Sequence, residues 1–230
     1  MFTPKLLPML VLVSVASLAT VTSAAAQAPK RGGTLTYAIT AEAPTFDCHA
    51  TTTYAAIHAV APHYSLLVKI DPHDYPKVKP DLAESWTVSS DGLGYTFKTR
   101  KGVLFHDGSP FSAKDVKASF DRIRNPTGGV VSVRKAAFED VADIETPDAD
   151  TVVFKLKQPD PGFLDLIALP FNCIYSADKL AQDPQFPAKT ILGTGPFVAT
   201  EHVAGAHFAG KRFEKYFEAG KPYLDGFKAQ

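Results

Sequence analysis

The sequence has 230 residues, 45% hydrophobic and 21% charged, so it can bury a core and is neither a disordered tail nor a peptide hormone. Its 24 Lys and Arg residues balance 24 Asp and Glu residues, so the formal charge is zero and gives no electrostatic reason to expect a nucleic acid partner. The 18 prolines argue against a helical bundle and for a strand-rich or mixed fold.

The first 26 residues have the pattern of a secretory signal peptide. Lys5 precedes an apolar run over residues 6–21, and this run is short and interrupted for a membrane span, which is the weaker alternative. Ala24 and Ala26 satisfy the small-x-small rule, so we predict cleavage after Ala26 and a mature chain that begins at Gln27. No cysteine lies at the cleavage site to receive a lipid, so the sequence predicts a soluble, exported product.

Two cysteines remain, Cys48 and Cys173, and an oxidising compartment permits them to pair. Because they lie far apart in the sequence, a disulfide would constrain the unfolded chain by about 4 kcal/mol. The sequence does not fix the distance between their Cα atoms, so a disulfide and two buried free thiols both stay open.

The mature chain opens with a predicted strand and then a helix. Alternating larger and smaller residues are typical of a strand over residues 34–39. Apolar residues at helical spacing predict a helix over residues 54–67, although Pro62 lies within it.

The middle of the chain favours a β-meander followed by a helix. We predict short strands at residues 84–88, 95–99 and 103–105, joined by hairpin-like turns. Ser112 and Asp115 form a capping pair, and apolar residues line one face of the helix that they open.

The remaining predicted elements are short and alternate between strands and helices. They are a hairpin at residues 141–146 and 151–157, helices at 163–169 and 177–181, strands at 195–200 and 207–213, and an incomplete strand after a turn at 225–226. This order predicts a mixed α/β (α+β) fold.

Motif searches reveal no catalytic, metal or cofactor site. The sequence contains no nucleophile elbow, phosphate-binding loop, H-E-x-x-H or C-x-x-C motif. His49, His58, His63 and His73 lie close together, but their spacing fits no helical pair of ligands, so we favour surface or hydrogen-bonded histidines over a metal site. We therefore predict no enzyme, no catalytic residue, no metal and no cofactor.

Several blocks of the mature chain carry a family resemblance. Residues 80–116 contain PDLAESWTVSSDGL, YTFK, RKGV, FHDGSP and SAKDV, supported by GGTL at 32–35, PTFD at 44–47, LGTGPF at 192–197 and KPYLDG at 221–226. These blocks resemble the family 5 extracellular solute-binding proteins, the oligopeptide, dipeptide and nickel type receptors of bacterial ABC importers. The resemblance covers nearly all of the mature chain.

The resemblance implies the N-terminal part of a type II-like periplasmic binding protein, a clamshell of mixed α/β lobes that closes over a solute. It assigns residues 27–64 and 172–230 to a first lobe and residues 65–171 to a hairpin-rich middle lobe. Because family members are much longer, we expect residues 27–230 to be an incomplete domain, an N-terminal fragment that lacks the opposing lobe and binds solute weakly or not at all.

The resemblance also implies which residues face the cleft. They are Thr52, Thr53, Tyr54, Gly129, Val131 and Ser132. The threonines can exchange hydrogen bonds with a peptide-like ligand, Tyr54 can cover an apolar side chain, and the glycine lets backbone amides approach the ligand. At each position, an ordinary surface loop is the alternative.

The implied function is that of a periplasmic capture protein, a monomer that delivers a peptide or a similar small solute to the membrane permease subunits of an ABC importer. Two alternatives belong to other classes. An exported hydrolase would need a marked nucleophile or metal set, and a transporter-independent peptide-binding chaperone would need no permease.

Thr99 departs from the family pattern, in which an apolar residue alternates with Phe97. We expect its hydroxyl to lie among apolar neighbours, at a cost on the order of 1 kcal/mol. The fold should tolerate this loss.

Overall fold

The computed structural model describes residues 29–230, and these form ten strands, four α-helices and four short 3₁₀ helices. The predicted signal peptide and its cleavage site lie outside the described residues. Within residues 29–230, no helix is long and apolar enough to cross a bilayer.

The elements alternate along the chain between strands and short helices. The strands are β1 (Thr34–Tyr37), β2 (Val68–Ile70), β3 (Val78–Pro80), β4 (Ala83–Val88), β5 (Gly94–Thr99), β6 (Val141–Asp148), β7 (Thr151–Leu156), β8 (Phe197–Val203), β9 (His207–Arg212) and β10 (Gly226–Ala229). The α-helices are α1 (Tyr54–Val60), α2 (Ala113–Arg124), α3 (Phe163–Ile167) and α4 (Ala177–Gln182). The 3₁₀ helices are Cys48–Ala50, Ala61–His63, Lys135–Phe138 and Phe186–Ala188.

The strands form two four-stranded sheets and a two-stranded ribbon of β2 and β3 in the described part of the chain. The first sheet has the order β1-β10-β9-β8, with β1 parallel to β10 and the other pairs antiparallel. The second has the order β4-β5-β7-β6 and is antiparallel throughout. Each sheet therefore draws its strands from one of the two predicted lobes, whose boundaries stay a prediction.

The predicted third strand of the meander, residues 103–105, is wrong. The Phe105 N–H donates to the Ser109 carbonyl (2.8 Å), and the Phe111 N–H donates to the Val103 carbonyl (2.9 Å). These backbone groups are used inside one loop, so they cannot pair with β5. Strand β7, from the following hairpin, takes the place beside β5.

The predicted helix at residues 54–67 is too long. Helix α1 ends at Val60, and a 3₁₀ turn over Ala61–His63 leads out of it. Pro62 has no backbone N–H to donate and therefore ends the α-helical ladder. The remaining residues of the predicted helix lead into β2.

Helix α2 confirms the capping prediction. The Ser112 backbone N–H donates to Asp115 Oδ2 (2.7 Å), which satisfies one of the donors at the helix start. The buried face of α2 packs against β6 and β7. Its Phe120 lies edge-on to Phe154 of β7, with ring centroids 5.1 Å apart, and Phe154 lies edge-on to Phe97 of β5 at 5.7 Å. This aromatic contact holds the helix on the second sheet.

Thr99 is buried at the end of β5, as the sequence predicts. Its hydroxyl oxygen has no hydrogen-bond partner within residues 29–230. Desolvation of this hydroxyl is therefore not offset by a hydrogen bond in the folded protein.

Replacing Thr99 with valine should raise the free energy of unfolding by about 1 kcal/mol, because an unpartnered hydroxyl becomes a methyl group of similar size. Urea denaturation monitored by circular dichroism measures the change. The matched control is Thr87→Val on β4, where the side chain is exposed, and it should change stability by less than about 0.5 kcal/mol. A loss of stability in Thr99→Val would contradict the assignment of an unpartnered hydroxyl.

A buried histidine, His63, and a half-buried one, His106, lie beside the first sheet. His63 Nδ1 donates to the Phe197 carbonyl (2.6 Å), and its Nε2 has no partner within the described residues. The His63 ring lies 6.3 Å from the ring of His106 and 5.3 Å from that of Phe208. Burial, with a smaller contribution from His106, lowers the pKa of His63 to about 3, so the ring is neutral at physiological pH.

His63 should make the protein less stable in mild acid. The unfolded chain takes up a proton at His63 below about pH 6.5, whereas the folded protein does so only near pH 3. Stability is therefore complete above about pH 6.5 and falls as the pH drops toward 3, by about 2 kcal/mol at pH 5.

The variant His63→Asn keeps a donor for the Phe197 carbonyl but cannot titrate, so the loss of stability between pH 8 and pH 5 should shrink by about 2 kcal/mol. Urea denaturation at pH 8 and at pH 5 measures this loss of stability in the variant and in the native protein. His73→Asn is the control, because His73 is exposed in a loop. An unchanged pH dependence in His63→Asn would mean that the folded protein accommodates a charged His63.

Candidate functional site

A buried ion pair joins the N-terminal segment to α2. Arg122 Nη1 donates to Asp47 Oδ1 (3.1 Å) and Nη2 donates to Oδ2 (2.5 Å), with both side chains only 5% exposed. The Tyr175 hydroxyl donates to Asp47 Oδ1 (3.1 Å) and accepts the Cys48 N–H (2.8 Å). Burial raises the pKa of Asp47, but the bonds and the charge of Arg122, together with the contacts of His49, outweigh burial and hold that pKa below its usual value.

His49 completes this network as a neutral ring. Its Nε2 lies 3.0 Å from the Cys173 carbonyl, which can only accept, so Nε2 carries the proton. Nδ1 then accepts a hydrogen bond from Arg122 Nη1 (3.0 Å). Burial, assisted by the charge of Arg122, outweighs the opposing effect of Asp47 and lowers the pKa of His49 to about 3. His49 therefore has a structural role.

None of the described side chains forms a metal site. No group of three or more His, Cys, Asp or Glu side chains within residues 29–230 is placed to hold a metal ion. Of the four histidines that lie close together in the sequence, His49 and His63 are buried and bond to two different backbone carbonyls, whereas His58 and His73 are exposed.

Cys48 and Cys173 are joined by a disulfide with their Cα atoms 6.0 Å apart. The sulfurs are buried directly beside the bond between His49 and the Cys173 carbonyl. Of the two states that the sequence leaves open, the structure contains the disulfide. The crosslink fixes the N-terminal segment to the segment that follows α3.

Arg134 connects a third segment, the loop after α2, to the region of the disulfide. Its Nη1 donates to the Thr51 carbonyl (2.7 Å), and its Nη2 donates to the carbonyls of Cys48 (2.6 Å) and Phe171 (3.2 Å). The neighbouring Val133 N–H donates to the His49 carbonyl (3.3 Å). The loops before α1 and after α2, both predicted to face a ligand, are therefore side by side.

The first three predicted residues lie at the start of α1. Thr52 is exposed, and Tyr54 is 56% exposed. Thr53 Oγ1 accepts the Ala55 N–H (3.2 Å), so this hydroxyl caps the helix and retains its own proton to donate.

The other three lie in the loop after α2. Gly129 is exposed and has a φ of +76°, a conformation that favours glycine. Val131 is 58% exposed, while Ser132 is half-buried and its Oγ has no partner within residues 29–230. A groove of about 750 Å³ lies beside Ser132 and Val133. Ser132 is therefore the predicted residue that borders a cavity.

Sequence reasoning missed three residues of this region, namely Val133, Arg134 and Phe171. The Phe171 ring lies edge-on to that of Tyr54, with centroids 5.5 Å apart, and Val133 is 47% exposed. We refer to Tyr54, Val131, Val133 and Phe171 as the apolar wall. Nothing in the sequence marks the three missed residues; Arg134, for example, has only distant backbone carbonyls as partners and resembles any surface arginine in the sequence.

Comparison with known families gives one match. The family described as bacterial extracellular solute-binding proteins, family 5 Middle, matches residues 77–230. A putative ABC transporter peptide-binding protein of Brucella ovis is 40% identical over 152 residues, which are 63% of this chain and 28% of that protein. The glutathione-binding protein of Salmonella typhi is 37% identical over 149 residues, 65% of this chain and 29% of that protein.

Solved structures resemble the described fold. The binding protein AgaA of A. tumefaciens, in complex with agropinic acid, has a TM-score of 0.79 at 32% identity over 86% of this chain and 39% of its own. The periplasmic binding protein DppA of Helicobacter pylori, in complex with the peptide STSA, has a TM-score of 0.79 at 30% identity over 87% of this chain and 43% of its own. The chain thus spans less than half of these relatives.

Removing the disulfide should destabilise the protein. The double variant Cys48→Ala/Cys173→Ala should lose about 4 kcal/mol of unfolding free energy, because the unfolded chain gains the freedom of a long loop. Guanidinium denaturation measures the loss. The native protein with its disulfide reduced is the control and should lose a similar amount, and equal stability of oxidised and reduced protein would contradict a stabilising crosslink.

Proposed function

Because the chain belongs to the bacterial extracellular solute-binding proteins of family 5, we propose that it supplies one wall of the solute site in the capture component of an ABC importer. The solute is a peptide or a similar small molecule, and membrane permease subunits receive it. The protein acts in the periplasm as a monomer, after cleavage following Ala26, and performs no catalysis of its own.

The observation that carries this proposal is the apolar wall. Tyr54 and Val131 expose more than half of their surfaces, although nearby side chains are buried. Exposed apolar groups on a rigid frame are typical of ligand sites, which bury most of a small ligand between facing surfaces. Arg134, the disulfide and the Asp47–Arg122 pair provide that rigid frame.

The polar residues at the rim can orient the solute. Thr52 is exposed, Thr53 retains a proton to donate, and Ser132 has an unpartnered Oγ. Together with the backbone at Gly129, these groups can meet the amide N–H and carbonyl groups of a peptide.

Closure of a clamshell would couple solute binding to transport. We propose the lobe division given by the resemblance, with residues 27–64 and 172–230 in one lobe and 65–171 in another. An opposing lobe that closes over the apolar wall would exclude water from the solute, and a permease that prefers the closed form would detect the solute as a population shift. Contact from one wall alone leaves the solute hydrated, so this chain by itself should bind with an affinity on the order of 1 mM.

The relatives differ in what they bind, as agropinic acid, the peptide STSA and glutathione show. All three carry carboxyl groups, and the peptide and glutathione also carry amide groups. The site proposed for this chain has groups suited to such molecules, and we propose peptides as the first class to test.

A carboxylate in the apolar wall should prevent burial of the solute. We expect Val131→Asp to weaken binding of the peptide STSA about tenfold, as measured by nuclear magnetic resonance titration of the labelled protein. In the native protein, the signals that move should belong to Tyr54, Val131 and Val133.

The matched control is Val88→Asp on β4, where the valine is 45% exposed on a different surface. This variant should bind like the native protein. Signals that move only outside the apolar wall, or equal effects of the two aspartates, would refute the proposed site.

A further inference from the structure

We propose that Arg134 makes the apolar wall electrostatically positive, so that the site prefers a solute with a carboxylate over the same solute with a neutral amide. This inference rests on the proposed function, because it concerns the ligand of the same site. It depends on a buried guanidinium that lacks an acidic partner.

Arg134 is nine-tenths buried, yet no carboxylate within residues 29–230 forms a salt bridge with it. Its Nη atoms bond to three backbone carbonyls, and its Nε has no partner at all within the described chain. Carbonyl oxygens solvate the cation but do not neutralise it. Arginine stays protonated even here, so a full positive charge remains.

The neighbouring charges do not cancel this one. Asp47 is the only carboxylate of the buried network described above, and Arg122 already engages both of its oxygens. His49 is neutral. The network therefore contains two guanidinium groups and one carboxylate, with an excess of one positive charge.

The charge lies directly behind the apolar wall. The Arg134 guanidinium carbon lies 4.9 Å from the centroid of the Phe171 ring, and that ring lies 5.5 Å from the ring of Tyr54. A carboxylate beside these two rings would therefore lie on the order of 10 Å from the guanidinium. At that separation near a protein surface, and at low ionic strength, the attraction is worth about a tenfold change in affinity.

A purely structural role for Arg134 is the competing explanation. Its three carbonyl bonds hold the loop after α2 against the segments at Thr51 and Phe171. Removing them could loosen the wall and weaken binding of every solute equally. Only a change in the preference between charged and neutral solutes separates the two explanations.

The test compares N-acetyl-Ala-Ala as the free acid and as the amide, which differ only in the carboxylate. Nuclear magnetic resonance titration of the full chain gives both affinities. The native protein should bind the acid about tenfold more tightly than the amide. Arg134→Met should bind the two equally, whereas Arg134→Lys should keep the preference.

Two further variants serve as a replacement and a control in this test. Arg134→Gln removes the charge but retains a donor for the carbonyls, so it replaces Arg134→Met if that variant does not fold. Lys135→Met removes the next cation along the chain, which is exposed, and it should leave the preference unchanged because water screens its charge.

The outcomes separate the two proposals. Equal affinities for acid and amide in the native protein would overturn the charge preference and leave the proposed function standing. If neither dipeptide moves the signals of the apolar wall, peptide capture fails, and acetate and acetamide then test the charge alone. Movement with acetate and not acetamide would sustain the inference, while no difference between them would overturn it.

Discussion

The bidentate pair of Arg122 and Asp47 is the interaction on which the rest of the structure depends. Removing two charges from water is costly unless every polar atom finds a partner. Here Arg122 also donates through Nε to the Pro184 carbonyl (3.0 Å), and Asp47 Oδ1 also accepts the His49 N–H (3.0 Å). Because these partners come from separate segments, the pair is satisfied only when the segments adopt one arrangement.

Helix α2 connects this pair to both halves of the molecule. One face packs on the second sheet through Phe120, and Arg122 reaches the N-terminal segment. At the start of the helix, Asp115 Oδ1 accepts the N–H of Ala177 in α4 (2.8 Å). A single helix thus positions the loop that follows it against the segment before α1, and this is where the apolar wall forms.

The wall combines rigidity with open apolar surface. The disulfide and Arg134 fix its backbone, while the side chains of Tyr54 and Val131 stay exposed. A preorganised surface of this kind loses little conformational entropy when it is covered. In the proposed site, the uncompensated guanidinium of Arg134 would add a positive field to this apolar surface.

Local patterns in the sequence determined most of the secondary structure and the family, and the resemblance to that family predicts the loops of the candidate site. The capping pair of α2 and the alternation in β7 act between near neighbours, so they can be read directly, and matching blocks identify the family without knowledge of contacts. Residues 103–105 show the limit, since their strand-like pattern is overridden by hydrogen bonds within one loop.

Only the tertiary structure decided which distant groups meet. The parallel pairing of β1 with β10 joins the two ends of the described chain. The ion pair, the disulfide and the bonds of Arg134 to Thr51 and Cys48 each link residues more than 70 positions apart. Such contacts depend on where the whole chain places each atom. For that reason, the sequence predicts only the loops of the candidate site, whereas the buried charge and the aromatic pair beside them emerged only from the fold.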